Sequence, residues 1–224
     1  MFHCLARETG RIGHLYSPDN HRGPWPWFPY ALDNGVFPMW NPADNSFDEE
    51  RWMTAGEPAW RRMLFWAQSA PQKPRWLIVP DRPGDKAETI RKWRHYAGEA
   101  KKLKIAALAV AVQDGMEMAD VLALRPEPEV VCVGGSTEWK WDTAPMWCAK
   151  FPRVHVLRCN SPEKLYQLES WGCESTDGTG WNRGDRNQTF GLEAWARTRA
   201  TPTFFPLTPH VCRKERIKGQ TTFA

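Results

Sequence analysis

The chain has 224 residues, and its 30 Lys and Arg against 26 Asp and Glu leave a net charge of +4; that length fits one large domain with a core needing no staples, and the charge is compatible with nucleic acid without demanding it. No apolar stretch approaches the roughly 18–20 residues that span a bilayer, and the opening MFHCLARETG lacks a secretory signal's apolar segment, which argues against membrane and secreted classes and for a cytoplasmic location. Six scattered cysteines without a C-x-x-C read as reduced and structural; His210 and Cys212 in PHVC would serve a metal only if other ligands converged on them, so no metal is expected.

Taken in chain order, FHCLA at 2–6 reads as a first strand, followed by a Gly- and Pro-rich loop over 10–29 with no helical periodicity. YALD at 30–33 is the next strand. Residues 48–69 carry helix-type apolar spacing interrupted by Pro58, which predicts two short helices or a kinked one. WLIVPD is a strand. The segment GDKAETIRKWRHYAGEAKKLK is a helix with Asp85 as cap and Ile90, Trp93 and Ala97 on one face. Then come strand IAALAVAVQ, short helix GMEMADVLAL, strand EVVCVGG, helix TEWKWDTAPMWCAKF broken near Pro145, and strand RVHVLRC. In SPEKLYQLESWG, Ser161 is the N-cap, Pro162 the first helical residue and Gly172 the stop. Strand CESTD, helix RNQTFGLEAWARTRA and a last strand TPTFFPL complete the series. Eight strands alternating with helices predict an α/β fold, a compact TIM-like (β/α)8 barrel over residues 1–206 with a basic tail over 207–224. An open doubly wound sheet is the alternative.

The polar residues that close the apolar runs are the candidates for chemistry, because loops after parallel strands open towards solvent at one end of the sheet. These are Asp33 in YALDNG, Asp81 in WLIVPD, Gln113 in VAVQDG, Gly134 and Gly135 in VVCVGG, and Asp177 in GCESTD. No Asp-x-Asp, Glu-x-Lys or His-rich spacing is present to hold two ions, so the favoured chemistry is covalent attack by one carboxylate at an anomeric carbon while other polar groups protonate and hold the leaving group. A heterocyclic leaving group needs a flat slot. Asp81 would accept two N–H bonds from a guanine-like edge, Gln113 would donate and accept, and the glycine pair would let backbone amides approach the exocyclic oxygen.

Each residue also has a plainer reading: the three aspartates as turn formers before Asn-Gly, Arg-Pro-Gly and Gly, Gln113 as a helix cap, Gly134 and Gly135 as a tight turn. Their joint register favours function. Glu138 and Glu174 are read as packing, cap or salt-bridge residues. Among 14 tryptophans, Trp52, Trp60, Trp66 and Trp93 are expected in or beside the core, while those of PWPWF and EWKW are placed in loops as candidates for stacking on bases. Trp181, Arg183 and Arg186 in GTGWNRGDR are candidate nucleic-acid contacts, and Asn182 or the amides of Gly178 and Gly180 are candidate donors keeping Asp177 ionised.

The order of these motifs resembles the tRNA-guanine transglycosylase family, and more closely its shortened phage members that act on DNA guanine. LDNGVF resembles the family's Asp-Ser-Gly-Gly-Phe element, departing at Asn34 and Val36, and implies a general acid/base or substrate-positioning role for Asp33. VPD implies base recognition by Asp81, VQDG the recognition glutamine Gln113, VGGS the Gly-Gly turn at the base oxygen, and ESTDG the nucleophile Asp177. The likeness covers roughly residues 10–206. The family's Cys-x-Cys-x-x-Cys…His zinc subdomain has no counterpart, since residues 178–224 hold only His210 and Cys212. The resemblance therefore implies a transferase that replaces guanine in DNA with a 7-deazaguanine such as 7-cyano-7-deazaguanine, without zinc or cofactor, as a monomer. Alternatives are a tRNA-guanine transglycosylase, a retaining glycoside hydrolase with tryptophans stacking on sugar, and a Trp-rich nucleic-acid-binding module without catalysis.

Overall fold

The computed structural model of the chain describes residues 2–21, 28–181 and 186–198. The first segment is a helix, α1 (Phe2–Thr9), not the expected strand. Cys4, Leu5, Ala6 and Thr9 are buried, a helical spacing that the five-residue run FHCLA is too short to reveal. The first strand is instead β1 (His14–Tyr16), inside the region read as loop. Next come β2 (Tyr30–Leu32), a 3-10 turn at Phe37–Met39, and an antiparallel hairpin of β3 (Trp40–Asn41) and β4 (Ser46–Phe47).

In the segment with Pro58 the α-helical pattern is interrupted by a π turn: α2 (Glu49–Arg51), the π turn (Trp52–Gly56) and α3 (Glu57–Ser69) follow one another without a loop between them. The widened turn lies directly before Pro58, where a helical stretch continuing through a proline must accommodate its missing N–H and its ring. The order continues β5 (Trp76–Ile78), α4 (Lys86–Leu103), β6 (Ala107–Val112), α5 (Met118–Leu122), β7 (Val130–Val133), α6 (Thr137–Lys150), β8 (Val154–Val156), α7 (Pro162–Ser170), β9 (Ser175–Thr176) and α8 (Arg186–Thr198). Asp85 caps α4 as expected, accepting from Glu88 N at 3.0 Å. Ser161 holds the N-cap position of α7, but its hydroxyl bonds the Glu163 carboxylate instead of the helix backbone. Gly172, at φ +77°, takes the left-handed turn after α7. Pro145 sits inside an unbroken α6, correcting the expected break, and Trp139 and Trp141 of EWKW lie on that helix, half-buried against the core, not in a loop.

Seven parallel strands pair in the order β1-β2-β5-β6-β7-β8-β9, curling into a half-barrel. The order advances in one direction along the chain, with only the hairpin set aside, so the reversal that defines a doubly wound sheet does not occur. The expected last strand TPTFFPL and the basic tail lie outside the described residues.

Strand alternation divides the core into two layers. The convex face presents Leu32, Leu77, Val79, Leu108, Val110, Val112, Val131, Val133, Val154 and Val156 to the helices, among them the fully buried Trp52, Trp60, Trp93 and Trp147. Trp66 packs at its edge. The Trp52 indole donates to Tyr96 Oη at 3.0 Å, which donates on to Glu57 Oε2 at 2.9 Å, whereas the buried indole nitrogens of Trp60 and Trp147 have no hydrogen-bond partner. The concave face is built from small and medium side chains, Ala31, Ile78, Ala109, Ala111, Val130 and Cys132, with Trp76. At the far edge α8 returns to α1, joined by the Arg197–Glu8 ion pair, and Arg11 lies 4.1 Å over the Trp195 ring. No helix of the described residues is long and apolar enough to cross a membrane.

Candidate active site

Two residues beyond each small side chain of the concave face, the same alternation delivers a polar group or a glycine at the carboxyl end of the sheet. Ala31 leads to Asp33, Ala111 to Gln113, Cys132 to Gly134, and Ser175 to Asp177. The register pairs Ala111 with Cys132, Cys132 with His155, and His155 with Ser175 in one row below them. Asp33, Gln113, Gly134 and Asp177 are thus brought to one rim, Gly135 follows Gly134 there, and Asp81, two residues past the convex-face Val79, joins it through its bonds to Asn34 and Gln113.

Asp81 is 5 % exposed and is held by two amides: Asn34 Nδ2 donates to its Oδ1 at 2.7 Å and Gln113 Nε2 to its Oδ2 at 2.7 Å. Asn34, the position that departs from the family element, is therefore a bonded partner of the base-recognition candidate. Gln113 is oriented from its other end by Gly84 N, which donates to Oε1 at 3.2 Å, so its amide assignment follows from both neighbours. Gly84 is itself tied outward: Asn45 of the hairpin turn donates to Gly84 O at 3.2 Å and accepts from Trp40 Nε1 at 2.8 Å. Of the glycine pair, Gly134 N is consumed by the sheet, donating to Val112 O at 3.0 Å, which leaves Gly135 as the amide outside the ladder. A side chain at Gly135 would meet Asp114 Oδ2 at 2.5 Å and Trp139 at 2.8 Å, and its φ is +71°, so both space and conformation demand glycine.

Asp177 ends β9 with its Oδ1 accepting from Arg158 N at 2.9 Å and lying 3.2 Å from His155 Nε2. Both donors come from β8 and the loop that follows it. Gly180 N donates to Asn160 Oδ1 instead, and Asn182 lies outside the described residues. Burial pushes the Asp177 carboxyl up, but the His155 hydrogen bond and charge, the Arg158 amide and the Lys140 ammonium together bring it below the usual carboxylate range. The opposite holds for Asp33, raised to about 7 by burial, then by the Asp177 carboxylate, with Asp81 adding to it and the Asn34 amide opposing. Burial likewise lifts Asp81 to about 6, against its bond from Asn34. The site thus holds two carboxyl groups whose environments push their titration in opposite directions.

Three basic groups here escaped the sequence reading: His155, Lys140 and Arg158. Lys140 of α6 is 2 % exposed and donates to Leu157 O at 2.7 Å, and burial lowers it to about 8. Arg158 adopts φ +59°; its amide serves Asp177, and its guanidinium donates to Gly135 O and lies 5.7 Å over the exposed Phe37 ring. It joins the strand-end loops of Asp177 and of the glycine pair. A non-glycine residue in this conformation costs about 1–2 kcal/mol. Arg158→Gly keeps the amide bond and removes the guanidinium. It is expected to leave the melting temperature unchanged or raised while turnover falls about 10–100-fold, the worth of a charge-assisted hydrogen bond; calorimetry and initial rates on one preparation check both.

The remaining candidates divide. Trp181 is 8 % exposed and packs in the core beneath α8, so it offers no open stacking face, correcting that expectation. Arg186 is exposed at the start of α8, and Arg183 lies outside the described residues. Glu174 forms a bidentate pair with Arg153 at 2.7 and 2.8 Å, the structural role expected of it. Cys132 is buried in the concave wall and burial drives its thiol well above the ordinary range, which suits a packing role. Among the described residues, no group of three or more His, Cys, Asp or Glu gathers as metal ligands, and His210 and Cys212 lie outside them. No protein-family model matches the chain, and no curated protein matches it in sequence.

Proposed function

We propose that the chain is a base-exchange transglycosylase of the tRNA-guanine transglycosylase type, built on a compact (β/α)8 barrel and acting on guanine in DNA. The observation that carries the reading is the opposed protonation of Asp177 and Asp33 on the rim that also holds the Asn34–Asp81–Gln113 array. Asp177 forms a bond to C1′ of the target nucleotide as the C1′–N9 bond breaks, and the electron pair leaves with guanine, which takes the proton of Asp33. A free 7-deazaguanine then attacks C1′ through N9, returns a proton to Asp33 and releases Asp177. Asp81 and Gln113 each keep acceptor capacity beyond their mutual bonds and meet the Watson–Crick edge, with the Gly135 amide at the exocyclic oxygen. The site lies below its loops, so a base in a duplex must leave the stack to reach it, at a few kcal/mol. Exposed Phe37 and Arg158 at the mouth suit stacking and phosphate contact.

The test is incubation with labelled guanine or 7-cyano-7-deazaguanine and either DNA or tRNA. Label entering DNA supports the reading. Label entering tRNA alone keeps the chemistry and overturns the substrate, and label in neither, with cleavage of a glycoside, transfers the carboxylate pair to a retaining glycoside hydrolase.

A further inference from the structure

His155 is buried at 3 % exposure on β8, its ring packed 4.6 Å from that of Trp76, and both ring nitrogens are engaged. Nδ1 lies 2.9 Å from Ser175 Oγ and Nε2 lies 3.2 Å from Asp177 Oδ1. An ionised carboxylate only accepts, so Nε2 carries the hydrogen, whether or not Nδ1 also carries one towards the Ser175 hydroxyl. The direction of the last link is thereby set from His155 to Asp177. Oδ1 of Asp177 also receives the Arg158 amide, so two donors converge on one oxygen of the carboxylate.

Resting on the transglycosylase reading, we infer that His155 is a positioning residue that, with Arg158 N, pins Asp177 Oδ1 and thereby presents Oδ2 as the oxygen that bonds to C1′. The carboxylate cannot rotate its two oxygens into each other's place without giving up both donors. The Trp76 ring and the Ser175 hydroxyl hold the plane and position of the imidazole. When Oδ2 becomes an ester oxygen, Oδ1 becomes the carbonyl oxygen of that ester and keeps its two donors, which favour the return of negative charge to the carboxylate when the second base displaces it. No proton moves along the chain in either half of the exchange.

The test combines a direct titration with kinetics. The Asp177 side-chain carboxyl is followed by carbon-13 NMR in the unaltered protein, His155→Phe, which keeps a ring against Trp76 without a donor, and His155→Gln, which restores a donor. Ser175→Ala is a milder change made beside them, in case His155→Phe does not fold. The expected result is an upward move of the Asp177 titration in His155→Phe, partial restoration in His155→Gln, and kcat for base exchange lowered about 10²-fold with the KM of the free base unchanged. An unmoved titration in a folded variant overturns the inference, as does a moved titration with full turnover. Absence of exchange by the unaltered protein overturns the proposed function and with it the catalytic role of His155, while the titration still decides whether His155 bonds Asp177.

Discussion

Asp177→Asn is expected to abolish base exchange and the covalent protein–DNA adduct together, with a loss of about 10⁴-fold or more, while leaving the fold intact. The amide is isosteric, and its oxygen still accepts from Arg158 N and His155 Nε2, so neither donor is left unpaired. What is lost is the anionic oxygen. Removal of a covalent nucleophile has an effect of this size, because the remaining groups only bind and polarise. The measurement is adduct formation on denaturing gels with labelled DNA, next to thermal melting of the same variant. An Asp177→Asn protein that retains the adduct would remove Asp177 from the chemistry.

The second large effect is on pH dependence. Asp33 holds its proton up to about 7, and base expulsion needs that proton, so kcat/KM should fall tenfold per pH unit above that value. The acid limb belongs to Asp177 and lies below the ordinary carboxylate range. Asp33→Asn should remove the alkaline limb and lower the rate by about 10²–10⁴-fold, the range for general acid catalysis. The same substitution should stabilise the protein. Between about pH 4 and 7 native Asp33 keeps a proton that the unfolded chain has lost, so its contribution to stability falls as pH rises through that window. At pH 8 Asp33→Asn should gain about 1–3 kcal/mol, discounted for the partial exposure of the group, with the gain vanishing below about pH 4. Denaturant unfolding at the two pH values checks the sign. Equal stability of the two proteins at pH 8 would place Asp33 in a wetter setting than the structure shows.

Much of this arrangement was legible before any coordinates. Apolar runs ending in Asp33, Asp81, Gln113, Gly134 and Asp177 are what strands buried on both faces produce, and the structure brings those ends together. What escaped depends on information that a sequence window does not hold. β1 has three residues, HLY, inside a Gly- and Pro-rich stretch, too few for alternation to register. FHCLA is apolar enough for either state, and helical burial appears only when Thr9 is included. His155 is one polar residue in an apolar run, and its partner Asp177 is 22 positions away; only the β8–β9 register makes them neighbours. Asn34 was visible as a departure from the family element, but its bond to Asp81 crosses 47 positions. Trp181 shows the reverse case: a tryptophan among Gly, Asn and Arg suits stacking on a base as well as burial under a helix, and composition does not choose.

The hairpin that interrupts the sheet order after β2 has a consequence for how such a protein diversifies. Rim insertions are ordinarily free to drift, because their side chains answer only to solvent and ligand. This one is hooked through Asn45 and Gly84 to the Gln113 amide that bonds the Asp81 carboxylate. A change in the turn at Asn45 would be felt as a rotated or loosened Gln113 and, under the proposed function, as altered discrimination between bases. Selection for a new nucleobase therefore has a handle outside the pocket, and drift in the turn carries a penalty that its exposed position conceals.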